Sequence, residues 1–367
     1  MGLISRPLRR DVMGLKFKIT VSNSKMRISA GSLLFACLLV TGCASRSVVP
    51  AEPALQRATA YLHSVRTTQG TAELQVAVRR FTSPSYPGQT VWLVGASHLG
   101  DFKYYTGLQK LLNAQDVVLF EGVRASEHAA TEEEHEPHAI DRQALDDSLQ
   151  GSMARALGLV FQLTAMDYSL KHFRNSDLSL PDIERLVSSN LSAVKGEEGQ
   201  AEASAEFALL TQALSGDSWL NVVANVMLSF VHASPKLQGL ARLMLIEVTG
   251  SVAADMESLA AMSPGMKGLI TVLVEARNKK VMGDLQSLLK KDTHSKSIAI
   301  FYGAAHMKDF EARLANELSY LPREERWLTA FDVDLKSSGI GEGEEKILRS
   351  LLDWQLEALG QRGKAAP

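Results

Sequence analysis

Two copies of one short pattern constrain the fold of this chain more than any other feature. Each copy is an apolar run typical of a buried β-strand, followed by Gly-x-x-His and then by a stretch typical of a helix. The first copy joins Val91–Val94 to Gly95–His98, and the second joins Ile298–Tyr302 to Gly303–His306. Because both histidines directly follow strands, they can reach the same edge of one sheet. The pattern therefore predicts a single site assembled from distant parts of the chain.

Composition sets the broad class of the protein. The chain has 367 residues, of which 46% are hydrophobic and 22% are charged, which is typical of a globular protein with a sizeable core. A formal net charge of −2 and the absence of a basic stripe argue against a nucleic-acid partner. Both cysteines, Cys37 and Cys43, lie near the N-terminus, so the rest of the chain offers no disulfide and no cysteine nucleophile.

The N-terminal residues are typical of a targeting signal. Ile28–Gly42 is apolar, rich in small residues and too short for an ordinary transmembrane helix, which indicates a signal peptide; an uncleaved membrane anchor is the alternative. It runs into Val40-Thr41-Gly42-Cys43, which resembles a bacterial lipobox. We expect residues 1–42 to be removed and Cys43 to carry the lipid that anchors the protein to a membrane.

Two further expectations concern this region. Met26 would begin a signal of ordinary length, so we expect translation to start there rather than at Met1. Ala44 follows the lipidated cysteine where an Asp would favour retention in the inner membrane. We therefore expect a bacterial lipoprotein on the periplasmic face of the outer membrane, with residues 43–53 as a tether.

The remaining chain predicts an α/β domain over residues 54–336, with a central mixed β-sheet flanked by helices, and a C-terminal helix within residues 337–367. Residues Ser126–Asp141 are predicted to form an acidic, His-rich loop. Residues from about 142 to 291 are predicted to form a large all-helical insertion, because they show almost no strand signal. Strands are predicted at Thr71–Phe81, Thr90–Val94, Asp116–Phe120, Ser295–Tyr302 and Trp327–Leu335, and helices at Pro53–Val65, Phe102–Leu112 and Met307–Leu318.

Three side chains are the main candidates for chemistry. His98 and His306 follow the two Gly-x-x-His strands, and Glu121 directly follows the strand at Asp116–Phe120. Two imidazoles and a carboxylate at one sheet edge are a plausible divalent-metal or acid–base set. The glycine of each motif would let the backbone turn sharply or approach a ligand closely. The alternative for each histidine is an ordinary loop residue or a hydrogen-bonded core histidine, and for Glu121 it is a solvated carboxylate.

Arg277 and Asn278 are the next candidates. They lie on the apolar line of a helix that also carries Val274 and Val281. A buried guanidinium needs an anionic partner, which Glu121 or a substrate carboxylate could supply. The alternative is that Arg277 extends its charged head to a solvated edge.

Several other residues are weaker candidates. Asp167 and Tyr168 follow an apolar run, and Ser97 stands between a strand and a helix but lacks the final Gly of a serine-hydrolase elbow. Three histidines of the acidic loop could bind a transition metal, and the alternative is an ordinary solvated loop. They are His128, His135 and His138. The sequence has no His-Glu-x-x-His and no phosphate-binding loop.

The motifs together resemble a known family. Val91–Gly122, with Gly95-Ala96-Ser97-His98 and Phe120-Glu121-Gly122, resembles the opening of the TraB/PrgY/GumN family, which includes the animal TIKI proteases. Ala276-Arg277-Asn278 and Tyr302-Gly303-Ala304-Ala305-His306 resemble its later motifs in the same order. After the first motif this chain has Leu99-Gly100-Asp101 instead of the Pro-containing continuation, so the resemblance does not define a substrate class.

The resemblance implies a mixed α/β core and, in the TIKI branch, a peptidase that uses a manganese- or cobalt-type ion. By position it assigns the metal to His98, Glu121 and His306, with Arg277 and Asn278 in support. We therefore expect a membrane-anchored, metal-dependent hydrolase acting on a peptide or protein. The alternative is a haem- or peptide-binding lipoprotein without catalysis, because related ChaN-like lipoproteins are linked to haem and other branches resemble signalling inhibitors. A structural lipoprotein with an inactive site is the third option.

Overall fold

The fold is built on a mixed sheet of seven strands flanked by helices, as the sequence predicts. It was obtained as a computed structural model that describes residues 60–123, 149–193, 228, 231–254 and 271–365. The predicted signal, tether and acidic loop, with Cys43, His128, His135 and His138, lie outside the described residues.

One half of the sheet is antiparallel. It contains β1 (Leu62–Arg66), β2 (Thr71–Thr82), β3 (Thr90–Ala96) and the last strand of the sheet, Leu321–Asp334. The long strand β2 pairs with Leu321–Asp334 along its whole length, with β1 along its first half and with β3 along its second half. The predicted hairpin between Thr71–Phe81 and Thr90–Val94 is therefore confirmed.

The other half of the sheet is parallel and carries the candidate site. Its members after β3 are β5 (Val117–Phe120), β7 (Phe173–Asn175) and β8 (Ser297–Gly303). Strand β8 lies between β3 and β5 and is parallel to both, while β7 adds to the far side of β5, also in parallel. Two short strands, β4 (Leu99–Gly100) and β6 (Val160–Phe161), pair with each other outside the main sheet.

Helices cover the sheet. Their bounds are Phe102–Asn113 for α1, Leu149–Leu157 for α2, Gln162–Ala165 for α3, Leu180–Ala193 for α4, Pro235–Ala254 for α5, Arg277–Lys291 for α6, Met307–Leu318 for α7 and Glu342–Ala365 for α8. A π-helical turn, Thr271–Ala276, runs directly into α6, and a 3₁₀ turn, Ala304–His306, runs directly into α7. Leu321–Asp334 is the ninth strand, β9.

The core lies between these helices and the sheet. Helix α5 packs on β1, β2 and β9, and α7 packs on β3. The largest fully buried side chains are mainly aromatic and include Phe81, Tyr105, Phe301, Tyr302, Phe310, Tyr320 and Phe331. Within the described ranges, no helix is both long and apolar enough to cross a membrane.

The structure differs from the sequence prediction in two places. The predicted helix at Pro53–Val65 is wrong over its described end, because Leu62–Arg66 is the strand β1 and pairs with β2. Within residues 142–291, predicted as helical, the short strands β6 and β7 also occur, and β7 belongs to the main sheet. A three-residue strand such as β7 is stabilised by its neighbour β5 rather than by a pattern of its own, so its own sequence carries little strand signal.

Candidate functional site

The candidate site lies at the carboxyl edge of the parallel strands. His98 follows β3, Glu121 follows β5, Asp177 follows β7 and His306 follows β8. Since β3, β8, β5 and β7 are neighbours and parallel, their carboxyl ends meet at one edge, which is where open α/β sheets bind ligands. The structure thus brings together the three side chains that the sequence predicted to meet.

Gly303 marks the point of convergence. A methyl group placed on Gly303 would lie 3.3 Å from Glu121 Oε2, 3.6 Å from His98 Nε2 and 3.7 Å from His306 Cδ2. The Gly303 amide N–H donates to Glu121 Oε2 at 2.7 Å. Glycine at this position therefore allows the backbone to approach the cluster closely. Of the two roles expected for the motif glycines, a sharp turn and a close approach, this is the second.

The expected sharp turn at the motif glycines is not observed. Gly303 has φ −49° and ψ 138°, which other residues also adopt. Gly95 lies within β3, where a Cβ would contact Val76 Cγ1 at 3.0 Å and the Ala77 carbonyl oxygen at 3.1 Å. Gly95 is thus required by the close packing of β3 on β2, whereas Gly303 is required by the site itself.

Arg277 is buried and holds two carboxylates. Its Nη2 donates to Glu121 Oε1 at 2.7 Å and to Asp177 Oδ2 at 2.6 Å, and its Nε donates to Asp177 Oδ1 at 2.9 Å. Only 8% of Arg277 is exposed, so the expected anionic partner is confirmed as Glu121, and the alternative of a guanidinium in solvent is wrong. Asp177, which the sequence analysis missed, is the second partner.

The charges in this cluster set the protonation of its members. Burial disfavours the charged form of both partners, yet Glu121 raises the pKa of Arg277 well above its ordinary value. Although burial also acts to raise the pKa of Glu121, the charge of Arg277 holds that pKa well below its usual range. Glu121 is therefore a carboxylate at neutral pH and a weak proton acceptor, which favours a binding role over that of a general base.

His306 is held by Asn278. Its Nδ1 lies 2.7 Å from Asn278 Oδ1, and its Nε2 faces Glu121 Oε1 at 3.9 Å. Burial lowers the pKa of His306 to about 4, against a smaller opposing effect from Glu121. The imidazole is therefore neutral at pH 7, the form in which histidine binds metal ions.

His98 is held in a parallel way from another part of the chain. Its Nδ1 lies 3.2 Å from Oε1 of the buried Gln162, and Gln162 Nε2 donates to the Tyr168 hydroxyl at 3.0 Å. Gln162 stands at the start of α3, and its backbone N–H donates to the His98 carbonyl oxygen at 2.9 Å. Each histidine thus has Nδ1 against a side-chain amide and Nε2 toward the cluster.

The weaker candidates lie elsewhere or play other roles. Ser97 Oγ donates to the Leu99 carbonyl oxygen at 2.7 Å, so it is not directed at a base as a nucleophilic serine would be. Asp167 is exposed and accepts from the backbone and side chain of Ser169 in a local turn. Tyr168 stands behind His98 as a partner of Gln162.

Sequence reasoning missed Asp177, Gln162 and Asp309. Asp177 is a polar residue just beyond a strand, the same signal that identified Glu121, but β7 is too short to be recognised. Asp309, which accepts from Asn278 Nδ2 at 2.8 Å, lies one turn after His306 on α7. Gln162 carries no local signal, because its role depends on a contact with His98, which lies far away in the sequence.

The residues of the site suit a divalent cation. Among the described residues, Glu121 and Asp177 bring two negative charges to this cluster and Arg277 brings one positive charge. N and O ligands lie about 2.0–2.2 Å from a zinc-type ion, so two ligands of one ion can be no more than about 4.4 Å apart. The 3.9 Å between His306 Nε2 and Glu121 Oε1 is within that limit.

Some adjustment would still be needed. Among the described side chains, no three His, Cys, Asp or Glu residues already form a complete metal-binding group. Glu121 Oε1 accepts from Arg277, but a carboxylate oxygen has two lone pairs and can interact with two partners. For one ion to contact all three, His98, Glu121 and His306 would have to move closer together than the structure places them.

Comparison of the chain with models of known families, with curated proteins and with solved structures gives no match. The motif resemblance to the TraB/PrgY/GumN family therefore stays a prediction.

Proposed function

We propose that this protein is a membrane-anchored, metal-dependent hydrolase of the peptidase type, with His98, Glu121 and His306 as the residues that bind the ion. A manganese- or cobalt-type ion is the expected metal, a peptide or protein the expected substrate, and a lipid on Cys43 the expected anchor. The single observation that carries the site is the convergence of two imidazole Nε2 edges and one carboxylate around Gly303.

Three properties of these side chains support the metal-binding role. The imidazole of His306 is neutral at pH 7, and Glu121 is ionised, so neither must lose a proton before it binds a cation. In both histidines Nδ1 is engaged by an amide, the outer contact that orients metal-binding imidazoles. The two described carboxylates of the buried cluster also attract a cation at this point.

The chemistry follows from the same arrangement. A bound divalent ion would supply Lewis acidity toward a carbonyl group and lower the pKa of a water molecule at the site. His98, His306 and Glu121 would hold the ion, and Arg277 would hold Glu121 in place through Oε1. The N–H of Gly303 fixes the other oxygen of Glu121, so the carboxylate cannot rotate away from the histidines.

The first prediction tests this function through the two histidines. The purified full-length chain should bind a stoichiometric divalent ion, measured by elemental analysis after equilibration with Mn²⁺ or Co²⁺, and should hydrolyse peptides in a mixed library. His98→Ala and His306→Ala should each abolish both properties, because each removes a ligand. His294→Ala is the matched control, since the His294 side chain is 99% exposed and precedes β8, at the end of that strand opposite the cluster.

Two results would contradict the proposal. One is a wild-type protein that takes up no Mn²⁺, Co²⁺ or Zn²⁺, and the other is full metal binding in both histidine variants. Haem titration distinguishes the hydrolase from the alternative of a haem-binding lipoprotein. A shift of the haem absorption band that is lost in His98→Ala would favour haem binding over hydrolysis.

A further inference from the structure

We propose that Asp309 is a positioning residue of this site, which fixes the direction of the Asn278 side-chain amide and through it the tautomer of His306. The inference rests on the proposed function, because it concerns how His306 presents its free nitrogen to the cluster. Asp309 lies on α7, is only 7% exposed and reaches the site through Asn278.

The direction of the Asn278 amide follows from its partners. An asparagine amide has an oxygen that accepts and a nitrogen that donates, so the groups around it decide which end faces which way. Asn278 Nδ2 lies 2.8 Å from Asp309 Oδ2 and 3.4 Å from the His306 carbonyl oxygen. Both partners can only accept. The reversed amide would place its oxygen against these two oxygens in a fully buried position.

The direction of the amide then decides the tautomer of His306. With Nδ2 directed at Asp309, Oδ1 of Asn278 faces His306 Nδ1 at 2.7 Å. Because this oxygen only accepts, Nδ1 carries the proton and donates. The neutral ring therefore has its lone pair on Nε2, the nitrogen that faces Glu121.

Asp309 is itself held in place. Arg313, one turn further along α7, donates from Nε to the same oxygen, Oδ2, at 2.7 Å. The carboxylate is thereby kept in position as an acceptor for Asn278. The chain of contacts runs from Arg313 through Asp309 and Asn278 to His306, and each step joins a donor to a group that accepts.

His98 provides an internal comparison. Its Nδ1 faces Gln162 Oε1, but the other end of that amide faces the Tyr168 hydroxyl, which can either donate or accept. No carboxylate fixes this second amide among its described contacts. A change at Asp309 should therefore alter the tautomer of His306 and leave that of His98 unchanged.

The test is long-range ¹H–¹⁵N NMR of the metal-free, full-length protein labelled at the histidine ring nitrogens. In the wild type, His306 should show a protonated Nδ1 and an unprotonated Nε2. Asp309→Ala should give a mixture of tautomers or a protonated Nε2, because the Asn278 amide is then free to reverse. Asp309→Asn should retain the wild-type pattern, since its one oxygen can still accept from Asn278 and Arg313. Lys308→Ala is the matched control at an exposed neighbouring position.

Metal binding gives a second measurement. Loss of the direct partner of a metal-binding histidine, here Asn278, costs about 10–100-fold in metal affinity. Asp309→Ala acts one contact further out, so it should weaken Mn²⁺ binding by up to about tenfold, the lower end of that range, and Asp309→Asn much less. If Asp309→Ala does not fold, as shown by a spectrum without dispersed signals, Asp309→Ser replaces it in both measurements. A serine hydroxyl can donate as well as accept, so it does not fix the direction of the Asn278 amide as a carboxylate does.

The outcomes separate this inference from the proposed function. A protonated Nε2 on His306 in the wild type, or a tautomer that neither Asp309→Ala nor Asp309→Ser alters, overturns the role of Asp309. A tautomer that responds as expected in a protein that binds no divalent ion supports the role of Asp309 and contradicts the proposed function instead.

Discussion

Arg277 is the residue on which the charge balance of the site depends. Its guanidinium lies between Glu121 and Asp177, two carboxylates that would repel each other without it. The cost of burying one ion is offset only while its partners stay in place, so the three side chains act as one unit. This unit links the ends of β5 and β7 to the start of α6.

Arg277→Ala should therefore destabilise the protein strongly. Removing one partner of a buried ion pair leaves an uncompensated charge and costs about 3–5 kcal/mol, which urea unfolding would measure. Arg185→Ala is the control, because Arg185 forms an ion pair with Asp182 but its side chain is 65% exposed, and such pairs contribute about 0–1 kcal/mol. Equal losses in the two variants would contradict this view of the cluster.

Gly303 permits a separate test at the scale of one methyl group. Gly303→Ala should fold, since its backbone conformation is open to alanine, but the new Cβ would press on Glu121 Oε2 from 3.3 Å. We expect weaker binding of Mn²⁺, by about tenfold if the displaced ligand costs about 1.4 kcal/mol, measured by titration calorimetry. Gly283→Ala on α6 meets no atom within 4 Å and should leave binding unchanged while stabilising the helix by about 0.5–1 kcal/mol. Unchanged binding in Gly303→Ala would contradict the convergence at this residue.

At the scale of elements, the sequence predicted those whose signal is local. Helices α1 and α7 carry apolar residues at helical spacing, and β2 and β8 are long enough to show their patterns, so all four were predicted. The rule that parallel strands share a carboxyl edge then brought His98, Glu121 and His306 together.

What the sequence could not predict depends on contacts between distant residues. Strand β1 is stabilised by its pairing with β2. The local sequence indicates only the turn that follows the strand, where Gly70 has φ 87°. The amide partners of the two histidines and the second carboxylate of Arg277 come from α3, α6 and the end of β7. No spacing within one segment indicates such pairings, because the residues become neighbours only in the folded chain.

Asp116 joins two elements of the parallel sheet at the edge opposite the site. Its carboxylate, just before β5, accepts from the N–H groups of Lys296 and Ser297 at the start of β8, and these hydrogen bonds, Ser297 first, lower its pKa. A carboxyl group with a lowered pKa stabilises the fold above its ordinary pKa, and this contribution is lost as the pH falls through the lower folded value.

Asp116→Asn should therefore destabilise the protein at pH 7 by about 1 kcal/mol or less, because Asp116 is exposed. The difference from wild type should shrink as the pH falls below about 4, the ordinary pKa of Asp. Urea unfolding at a series of pH values measures it, with Glu184→Gln, at an exposed position of α4, as the control. A difference that is constant with pH would contradict the role of the charge.

At the scale of the whole molecule, α8 is attached to the body of the domain through β1 and α5. Among the side chains of α8 whose burial is described, Leu352 is buried at 7% exposure, while the adjacent Leu351 is 54% exposed. Arg66, at the end of β1, pairs with Glu247 on α5 and with Glu345 on α8. These contacts join the helix to β1 and α5 and leave His98, Glu121 and His306 untouched.

Leu352→Asp should release α8 without disturbing the site. Losing a buried leucine costs about 2–5 kcal/mol, which should speed tryptic cleavage at Lys346 or Arg349 by more than about tenfold. Leu351→Asp changes the neighbouring residue in the same way at an exposed position and should be cleaved at the wild-type rate. Metal binding should be unchanged in both, and its loss in Leu352→Asp alone would show that α8 supports the site.

The position of β8 between β3 and β5 has a consequence for how the protein is made. A nascent chain that has emerged through β5 possesses two parallel strands whose shared neighbour has not yet left the ribosome. Their inner edges stay unpaired until Ser297–Gly303 arrives, and the same segment brings the backbone that touches Glu121. Closure of the parallel half of the sheet and assembly of the site therefore coincide, while β9 joins the sheet afterwards. A polypeptide that stalls before β8 would possess neither.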